Sequence, residues 1–396
     1  MQYYLDIQGE VLWNKVTLKE YSLNKDAIQL ICMMKENPKH VSEEDQASIL
    51  GALSNFGINI DDIEIFDDDS KCMQTPVVHI IRNCNSRCKI CDCWKSDSQV
   101  YIEADRLVQF WREAKLAGAE SVMVSGGEPL LHPQIDRIIQ DIHEAGLVVE
   151  LNTNGLRLER LSDDSARIIH ALIVSIDGFT KADYAAIRGC NAFEHVCNNL
   201  RVFRAKETHV LLGTRVTLTK YALKNLGSIQ KFANDMNLDV VSFSPLDCLS
   251  SSFSRVMSPE RIHELETDFL PSLSELNSLL MDFKEHGHTY QIVQRAYGLG
   301  LFSWGPADFT DCLEYYVRVL NGAGANMASN SEPCNFPRSS IVVDYDGSIR
   351  PCFYGPGLVP VERFNAADWH PHSLMRLMDE MHSCENCRGK VFCDAS

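Results

Sequence analysis

The apolar positions change period along the chain, and these changes divide it into regions. In residues 76–247, short apolar runs typical of buried strands alternate with segments of helical periodicity. Between the second and third runs, isoleucines from Ile135 to Ile142 mark one helical face. Pro133 precedes this face and Gly146 follows it, the asymmetry expected of helix ends. The predicted strands are Val77–Arg82, Ser121–Ser125, Val148–Thr153, Ala171–Ile176, Leu211–Leu218 and Val240–Ser244.

Strands that alternate with helices indicate an α/β fold with a parallel sheet and right-handed crossovers. The region supplies six such units, which are too few to close an eight-stranded barrel. We therefore expect a partial (β/α)6 barrel, open on one side, over residues 76–247.

Residues 1–75 predict a small α+β unit. Its pattern indicates three short strands followed by two helices, and the acidic stretch from Asp61 to Asp69 is interpreted as a solvated linker. The strands are Tyr3–Ile7, Val11–Val16 and Lys19–Leu23, and the helices are Asp26–Glu36 and Ser42–Phe56.

The region after the barrel has a different character. Residues 248–333 are expected to be a helical connecting region, with a helix over Pro259–Gly287. Ser340–Phe353 predicts a hairpin whose turn contains Asp346 and Gly347. A last helix is predicted over Ser373–His382, within a cysteine-rich segment, 334–396, that we treat as a separate domain.

Composition and charge exclude some partners and favour others. The chain has 396 residues, with 37 basic and 54 acidic side chains and a formal charge of −17, which repels phosphate backbones and anionic lipid. It has no apolar run long enough for a membrane span, and its N-terminus lacks a signal peptide, so we expect a cytoplasmic protein. Fifteen cysteines in a reducing compartment then favour metal or cluster binding over disulfides.

The first cysteine group directly follows the first barrel strand. Cys84, Cys88 and Cys91 are spaced C-x3-C-x2-C, so one short loop can bring three thiolates to one cluster. A cubane has four irons, and three protein ligands leave one iron open for substrate. The alternative is a structural zinc site in which Cys93 supplies the fourth ligand. The position at the carboxyl end of a barrel strand, where such barrels carry their chemistry, favours a catalytic cluster.

With these cysteines, residues 76–247 resemble the radical S-adenosylmethionine (SAM) superfamily. The resemblance implies that Cys84, Cys88 and Cys91 bind a [4Fe-4S] cluster. It implies that the open iron chelates the methionine part of SAM, and that one electron releases a 5′-deoxyadenosyl radical. The residue before the third cysteine is commonly aromatic in the family, whereas here it is Ile90.

Further motifs at the strand ends carry the same resemblance. Ser125-Gly126-Gly127-Glu128-Pro129 is similar to the family's clamp for the methionine amino group, and its glycines allow a ligand close to the backbone. Asn152-Thr153-Asn154-Gly155 and Ser175-Ile176-Asp177-Gly178 resemble the signatures of the third and fourth strands. In the family, the last of these lies near the ribose and the methionine carboxylate. Arg188 and Arg215 are further candidates for SAM binding, with surface salt bridges as the alternative.

The C-terminal cysteines resemble the SPASM/twitch extension of the superfamily. Cys334 and Cys352 form C-x12-G-x4-C with Gly347 between them, and Cys384, Cys387 and Cys393 form C-x2-C-x5-C. Five cysteines suffice for one auxiliary [4Fe-4S] cluster, so the shorter twitch form fits better. Cys334, Cys352, Cys384 and Cys387 are the preferred ligands, with Cys393 as a substitute. A zinc ribbon-like site is the alternative.

The N-terminal unit resembles a peptide-recognition domain, which would bind a leader peptide at a sheet edge. The alternative is a structural extension of the barrel. The substrate is therefore predicted to be a ribosomal peptide, or otherwise a sugar or aminocyclitol, and a non-catalytic iron–sulfur protein is a third hypothesis. The mechanism implies a flavodoxin- or ferredoxin-type reductant. Cys190 and Cys197 are candidate hydrogen-atom donors, although most remaining cysteines are expected to be buried apolar residues.

Overall fold

The computed structural model forms two compact units, Met1–Lys71 and Cys72–Ser396. It describes residues 3–6, 11–14, 20–66, 73–95, 100–207, 209–246, 258–286, 312–313, 316–317, 320–321, 340–353 and 355–366. The predicted helix Ser373–His382 lies outside these residues, as do Cys334, Cys384, Cys387 and Cys393.

The first unit is a mixed sheet with two helices. Its strands are β1 (Tyr3–Asp6), β2 (Val11–Asn14), β3 (Glu20–Ser22) and β4 (Ile63–Phe66), and its helices are α1 (Lys25–Glu36) and α2 (Glu43–Asn55). The order is β3-β2-β1-β4, antiparallel except for the parallel pair of β1 and β4. Asn24 caps α1 through Ala27 N–H, and Ser42 caps α2 through Asp45 N–H. Leu5, Leu12, Ile31 and Ile63 are fully buried between the layers.

Strand β4 corrects one expectation from the sequence. The acidic stretch 61–69 was interpreted as a linker, and this is wrong for Ile63–Phe66, which pair in register with Tyr3–Asp6 of β1. The physical reason is the alternation of Ile63 and Ile65 with Glu64, which has the period of a half-buried strand. Acidic residues on both sides of this four-residue run favoured the interpretation as a linker.

The second unit contains the predicted run of parallel strands. They are β5 (Val77–Ile81), β6 (Ser121–Gly126), β7 (Val148–Thr153), β8 (Ile169–Ser175), β9 (Leu211–Leu218) and β10 (Val240–Pro245). They pair in sequence order, β5 beside β6 through to β9 beside β10. The partial α/β barrel expected from the sequence is thereby confirmed.

Helices connect the strands of this sheet or follow its last strand. They are α3 (Ala104–Leu116), α4 (Ile135–Glu144), α5 (Asp163–Ile168), α6 (Lys181–Arg188), α7 (Phe193–Lys206), α8 (Lys220–Lys224), α9 (Leu226–Asp235), α10 (Pro259–Phe269) and α11 (Leu273–His286). The isoleucines of α4 are buried, as their spacing predicted. The single helix predicted over 259–287 is instead α10 and α11, because Pro271 interrupts the helical backbone between them. Within the described residues, no helix has the length and apolar character required to cross a membrane.

Alternation along the strands places polar side chains on the inner face of the sheet. On β7, Val149 and Leu151 pack in the core that includes the helices, so Glu150 and Asn152 point to the opposite face. A separate small apolar cluster of Ala171, Ile173, Leu211 and Val240 lies on β8, β9 and β10. The inner face therefore combines apolar and polar positions.

The predicted hairpin is present, but it is not separate from the barrel. It consists of β11 (Val342–Val343) and β12 (Ser348–Arg350), followed by β13 (Val359–Pro360). Strand β11 pairs parallel with β5, so the sheet continues beyond the barrel. Asp344 contacts His79 of β5 at 3.6 Å and Arg350 at 2.9 Å, which ties the hairpin to the strand that precedes the first cysteine group.

Candidate cofactor site

The first three site cysteines lie in the loop after β5, which we call the cysteine loop (residues 82–95). Internal hydrogen bonds hold its shape. The Ser86 N–H donates to Cys84 Sγ at 3.4 Å, and the Ser86 hydroxyl lies 3.3 Å from Cys88 Sγ. The Trp94 indole donates to the carbonyls of Cys88 and Cys91 at 3.1 and 2.9 Å. The loop conformation is therefore set by the chain itself.

The thiols of the cysteine loop lie in a buried setting that disfavours the charged form. Burial raises the pKa of Cys84 to about 12, with a contribution from the nearby Glu128 carboxylate, and burial also raises the pKa of Cys88. These thiols are therefore protonated without a metal, and binding iron would release their protons. A set of three thiols suits iron–sulfur ligation with one open iron.

Cys93 is a fourth thiol close to this set. It is buried, and its pKa is raised, first by a hydrogen bond with Cys91 and then by burial. Among the residues that the structure describes, no three His, Cys, Asp or Glu side chains are close enough to hold one metal ion. A cubane requires a wider spacing, because each thiolate binds a different iron.

The glycines after β6 pack against the cysteine loop. Gly127 N–H donates to the Ile81 carbonyl at 2.7 Å, and Glu128 N–H donates to the Asn83 carbonyl at 2.8 Å. A Cβ on Gly127 would lie 2.1 Å from the Arg82 carbonyl oxygen, and Gly126 has a φ of +137°. The close approach predicted at these glycines is therefore made by the loop backbone, and it fixes the loop to the end of β6.

The Glu128 carboxylate connects the ends of two neighbouring strands. Its fully buried carboxylate accepts from Leu130 N–H at 3.0 Å, from the Thr153 hydroxyl at 2.7 Å and from Asn154 N–H at 2.7 Å. Burial raises the pKa of Glu128, and the hydrogen bonds oppose that rise. The carboxylate thus joins the end of β6 to the end of β7.

The two asparagines of the third-strand motif have different surroundings. Asn154 donates to Asn85 Oδ1 at 2.8 Å and lies 3.6 Å from Cys84 Sγ, so it belongs to the cysteine loop. Asn152 donates to Met123 Sδ at 3.1 Å on the inner face of the sheet. Ser125 is half-buried on the inner face at the end of β6, beside His79 in register.

The fourth-strand motif and Arg188 form a buried ion pair. Arg188 Nη2 lies 2.7 Å from Asp177 Oδ2, and Asp177 Oδ1 accepts from Thr217 N–H at 2.7 Å. Arg188 Nη1 also reaches Cys88 Sγ at 3.6 Å. Ser175 is half-buried at the end of β8, directly before the Asp177 turn. The structure therefore brings Asp177 and Arg188 to the cysteine loop.

Arg215 lies elsewhere on the inner face. It is half-buried on β9, where its Nε donates to the Ser242 hydroxyl of β10 at 3.2 Å. The side chain of Glu150 on β7 is buried, and the positive charge of Arg215 acts on its carboxyl group. Burial raises the pKa of Glu150 to about 7, although a Ser121 hydrogen bond and Arg215 oppose the rise.

We expect the buried Glu150 to make the free energy of unfolding depend on pH. Its pKa rises from the ordinary value of 4.5 in the unfolded chain to about 7 in the folded protein, so the stabilisation that is fully present below pH 4.5 is lost as pH rises through 7. Glu150→Gln removes this loss, and we expect its advantage over wild type to grow by about 2–3 kcal/mol between pH 5 and pH 8. Urea unfolding at both pH values measures it. The exposed Glu144→Gln is the control, and an equal change in both variants would contradict the assignment.

The other candidate cysteines are dispersed. Cys190 is half-buried after α6, with Sγ 4.0 Å from the Ser86 hydroxyl, whereas Cys197 is buried in the core on α7. Cys352 is buried directly after β12. Among the remaining cysteines, Cys93 and Cys312 are buried, as the sequence predicted, and Cys32 is half-buried.

Sequence reasoning missed Ser86, Thr153 and Glu150. Ser86 stands between two cysteines of the motif, and a hydroxyl inside a ligand loop is a signal for hydrogen bonding to sulfur. Thr153 was noticed only as part of a signature. Glu150 occupies an inward position of a buried strand, where the two-residue period should have drawn attention to an acidic side chain.

Comparison with known proteins agrees with this geometry. Residues 78–226 match the family described as the Radical SAM superfamily. This part of the chain is therefore similar to radical SAM enzymes. The chain is 25% identical to the probable GTP 3′,8-cyclase of Methanocaldococcus jannaschii over 176 aligned residues. The alignment covers 43% of this chain and 58% of that protein. The chain thus spans little more than half the length of this curated relative.

Two solved structures have a fold similar to that of this chain. Streptococcus suis SuiB bound to precursor peptide SuiA has a TM-score of 0.54 and 13% identity, covering 98% of this chain and 93% of that one. Native anSMEcpe with bound AdoMet and Cp18Cys peptide has a TM-score of 0.51 and 16% identity, covering 81% and 88%. At these identities the likeness concerns the fold alone.

Proposed function

We propose that the chain reductively cleaves SAM at a [4Fe-4S] cluster bound by Cys84, Cys88 and Cys91. When bound, the cluster passes one electron to SAM, whose sulfonium–carbon bond breaks to give methionine and a 5′-deoxyadenosyl radical. The radical takes a hydrogen atom from substrate and becomes 5′-deoxyadenosine. A flavodoxin- or ferredoxin-type protein would supply the electron.

One observation carries this proposal: the loop that contains the three thiols is attached to the ends of two neighbouring strands. The cysteine loop is bound to the end of β6 through Gly127 and Glu128, and Glu128 is bound to the end of β7 through Asn154. SAM would therefore meet a rigid surface formed by these strand ends. The proposed SAM-binding residues are Ser125, Gly126, Gly127, Glu128, Asn152, Asn154, Ser175, Asp177, Arg188 and Arg215.

The direct test uses the anaerobically reconstituted full chain with dithionite and SAM. We expect 5′-deoxyadenosine and methionine in equal amounts, measured by liquid chromatography and mass spectrometry. Protein that holds a full complement of iron but forms no 5′-deoxyadenosine, with or without candidate substrates, would contradict the proposal.

We propose that the substrate is a ribosomally made peptide recognised by the first unit, Met1–Lys71. Its sheet has two edges, at β3 and β4, and an extended peptide can add to such an edge through main-chain hydrogen bonds. Beside β3, the rings of Tyr21 and Phe56 meet at 5.3 Å, and Phe56 is 62% exposed. This pair offers an apolar anchor for a side chain of the added strand.

Charge indicates what kind of peptide fits this unit. Residues 1–71 contain 14 acidic and 6 basic side chains. A basic leader segment with an apolar side chain for the Tyr21–Phe56 pair is therefore favoured over an acidic one. SuiB bound to its precursor peptide SuiA and anSMEcpe bound to the Cp18Cys peptide are proteins of this fold that bind peptides, which supports the proposal of a peptide substrate.

Deletion of residues 1–71 tests the peptide proposal separately from SAM cleavage. The candidate substrate is a short peptide encoded beside the gene for this chain. We expect the truncated chain to retain SAM cleavage without substrate but to lose modification of the peptide, followed by mass spectrometry. Full peptide turnover by the truncated chain would contradict the role of this unit.

The alternative substrate is a sugar or aminocyclitol, and genes for sugar-modifying enzymes beside this one would favour it. In either case we propose one auxiliary [4Fe-4S] cluster of the twitch type. The buried Cys352 is its one ligand within the described residues, and Cys334, Cys384 and Cys387, with Cys393 as a substitute, complete the proposed set.

A further inference from the structure

The end of helix α6 is attached to the cysteine loop. Lys89 N–H donates to the Ile187 carbonyl at 2.7 Å, and the Ser86 hydroxyl lies 3.2 Å from the Arg188 carbonyl. The next residue is Gly189, where a Cβ would lie 2.0 Å from the Arg87 carbonyl oxygen. The cysteine loop and the end of α6 therefore form one packed unit.

This attachment buries the guanidinium of Arg188 beside a cluster ligand. Arg188 is 8% exposed, and a buried charge is costly unless it is paired. Asp177 supplies the pair at 2.7 Å and is itself fixed by Thr217 N–H. The remaining amino group, Nη1, points to Cys88 Sγ at 3.6 Å. Asp177 thus orients a cationic donor toward one sulfur.

One more polar group contacts the same sulfur. The Ser86 hydroxyl is 3.3 Å from Cys88 Sγ. Tyr184, one turn before Arg188, is fully buried, and its hydroxyl has no hydrogen-bond partner among the described residues. The buried Cys88 sulfur is therefore contacted by two polar groups, the Arg188 guanidinium and the Ser86 hydroxyl.

We propose that Arg188 is a positioning residue that raises the reduction potential of the cluster by donating to the Cys88 thiolate. This inference rests on the proposed function and deepens it. Reduction adds negative charge to the cluster and its sulfur ligands, and a fixed cation with hydrogen bonds to sulfur stabilises that charge. Through its contact with Cys88, Arg188 would thereby make the cluster easier to reduce.

The test measures the midpoint potential of the cluster in the full chain. Redox titration is followed by the EPR signal that changes when SAM is added, which separates this cluster from any auxiliary one. We expect Arg188→Gln to lower the potential by about 59 mV or more, the equivalent of a tenfold smaller reduced-to-oxidised ratio for one electron. Arg188→Lys keeps the charge beside Asp177 and should give a smaller decrease.

Arg204→Gln is the matched control, because the Arg204 side chain is about as buried as that of Arg188, is paired with the partly exposed Asp239 and is located on α7. It should leave the potential unchanged. If Arg188→Gln fails to hold iron, the titration of Arg188→Lys decides. A wild-type potential in an iron-loaded Arg188 variant would overturn this inference while leaving the proposed function intact. A wild-type protein with no SAM-responsive signal would instead overturn both.

Discussion

Replacing Cys84, Cys88 and Cys91 together by alanine is expected to reduce 5′-deoxyadenosine formation to the background level without protein. The variant has no thiolates in the loop to hold the cluster, so no electron reaches SAM. The change is a complete loss, because the remaining residues of the site cannot carry an electron. The assay is anaerobic 5′-deoxyadenosine formation with dithionite, and measurable cleavage would refute the ligand assignment.

Cys93→Ala is the matched control for this variant. Cys93 is buried in the same loop and is hydrogen-bonded to Cys91, but the assignment gives it no metal. We expect this variant to keep its iron and its SAM cleavage. Loss of iron from Cys93→Ala would mean that four thiolates bind the metal, which would leave no open iron for SAM.

The second large effect is expected from Gly127→Ala. The added Cβ would lie 2.1 Å from the Arg82 carbonyl oxygen and 2.3 Å from that of Asn83. Both atoms belong to backbone, so the cysteine loop must move away from the end of β6. We expect a loss of at least about 3 kcal/mol in unfolding free energy, as in severe overpacking. Iron binding should be impaired as well.

Gly227→Ala controls for the substitution itself. Gly227 lies on α9 in the same unit, and a Cβ there has no atom within 4 Å. Alanine is the better helix former, so this variant should match wild type or gain up to about 1 kcal/mol. Urea unfolding of both variants provides the comparison. Equal stability of Gly127→Ala and Gly227→Ala would show that the loop does not depend on this contact.

The strands of the barrel were predictable because burial on both faces leaves apolar runs bounded by turns. Val148–Thr153 and Leu211–Leu218 coincide with the predicted strands. Three others differ by one residue at one end, and Ile169–Ser175 differs at both ends. The cysteine loop was equally predictable, because its spacing is local in sequence. These features require no knowledge of distant contacts.

Features that depend on distant contacts were not predictable. The pairing of Val342 with Val77 joins segments far apart in sequence, and nothing in either strand specifies its neighbour. The positions of Asp177 and Arg188 beside Cys88 likewise require the docking of α6 on the cysteine loop. Motif matching identified both side chains, but their contacts with each other and with sulfur emerge only from the fold.

The most direct test of the central claim is the metal content of anaerobically purified protein, combined with EPR before and after SAM is added. The account predicts iron and sulfide bound through Cys84, Cys88 and Cys91, and a reduced-cluster signal that shifts when SAM binds the open iron. Zinc in this loop without iron, or a cluster signal unaffected by SAM, would contradict it.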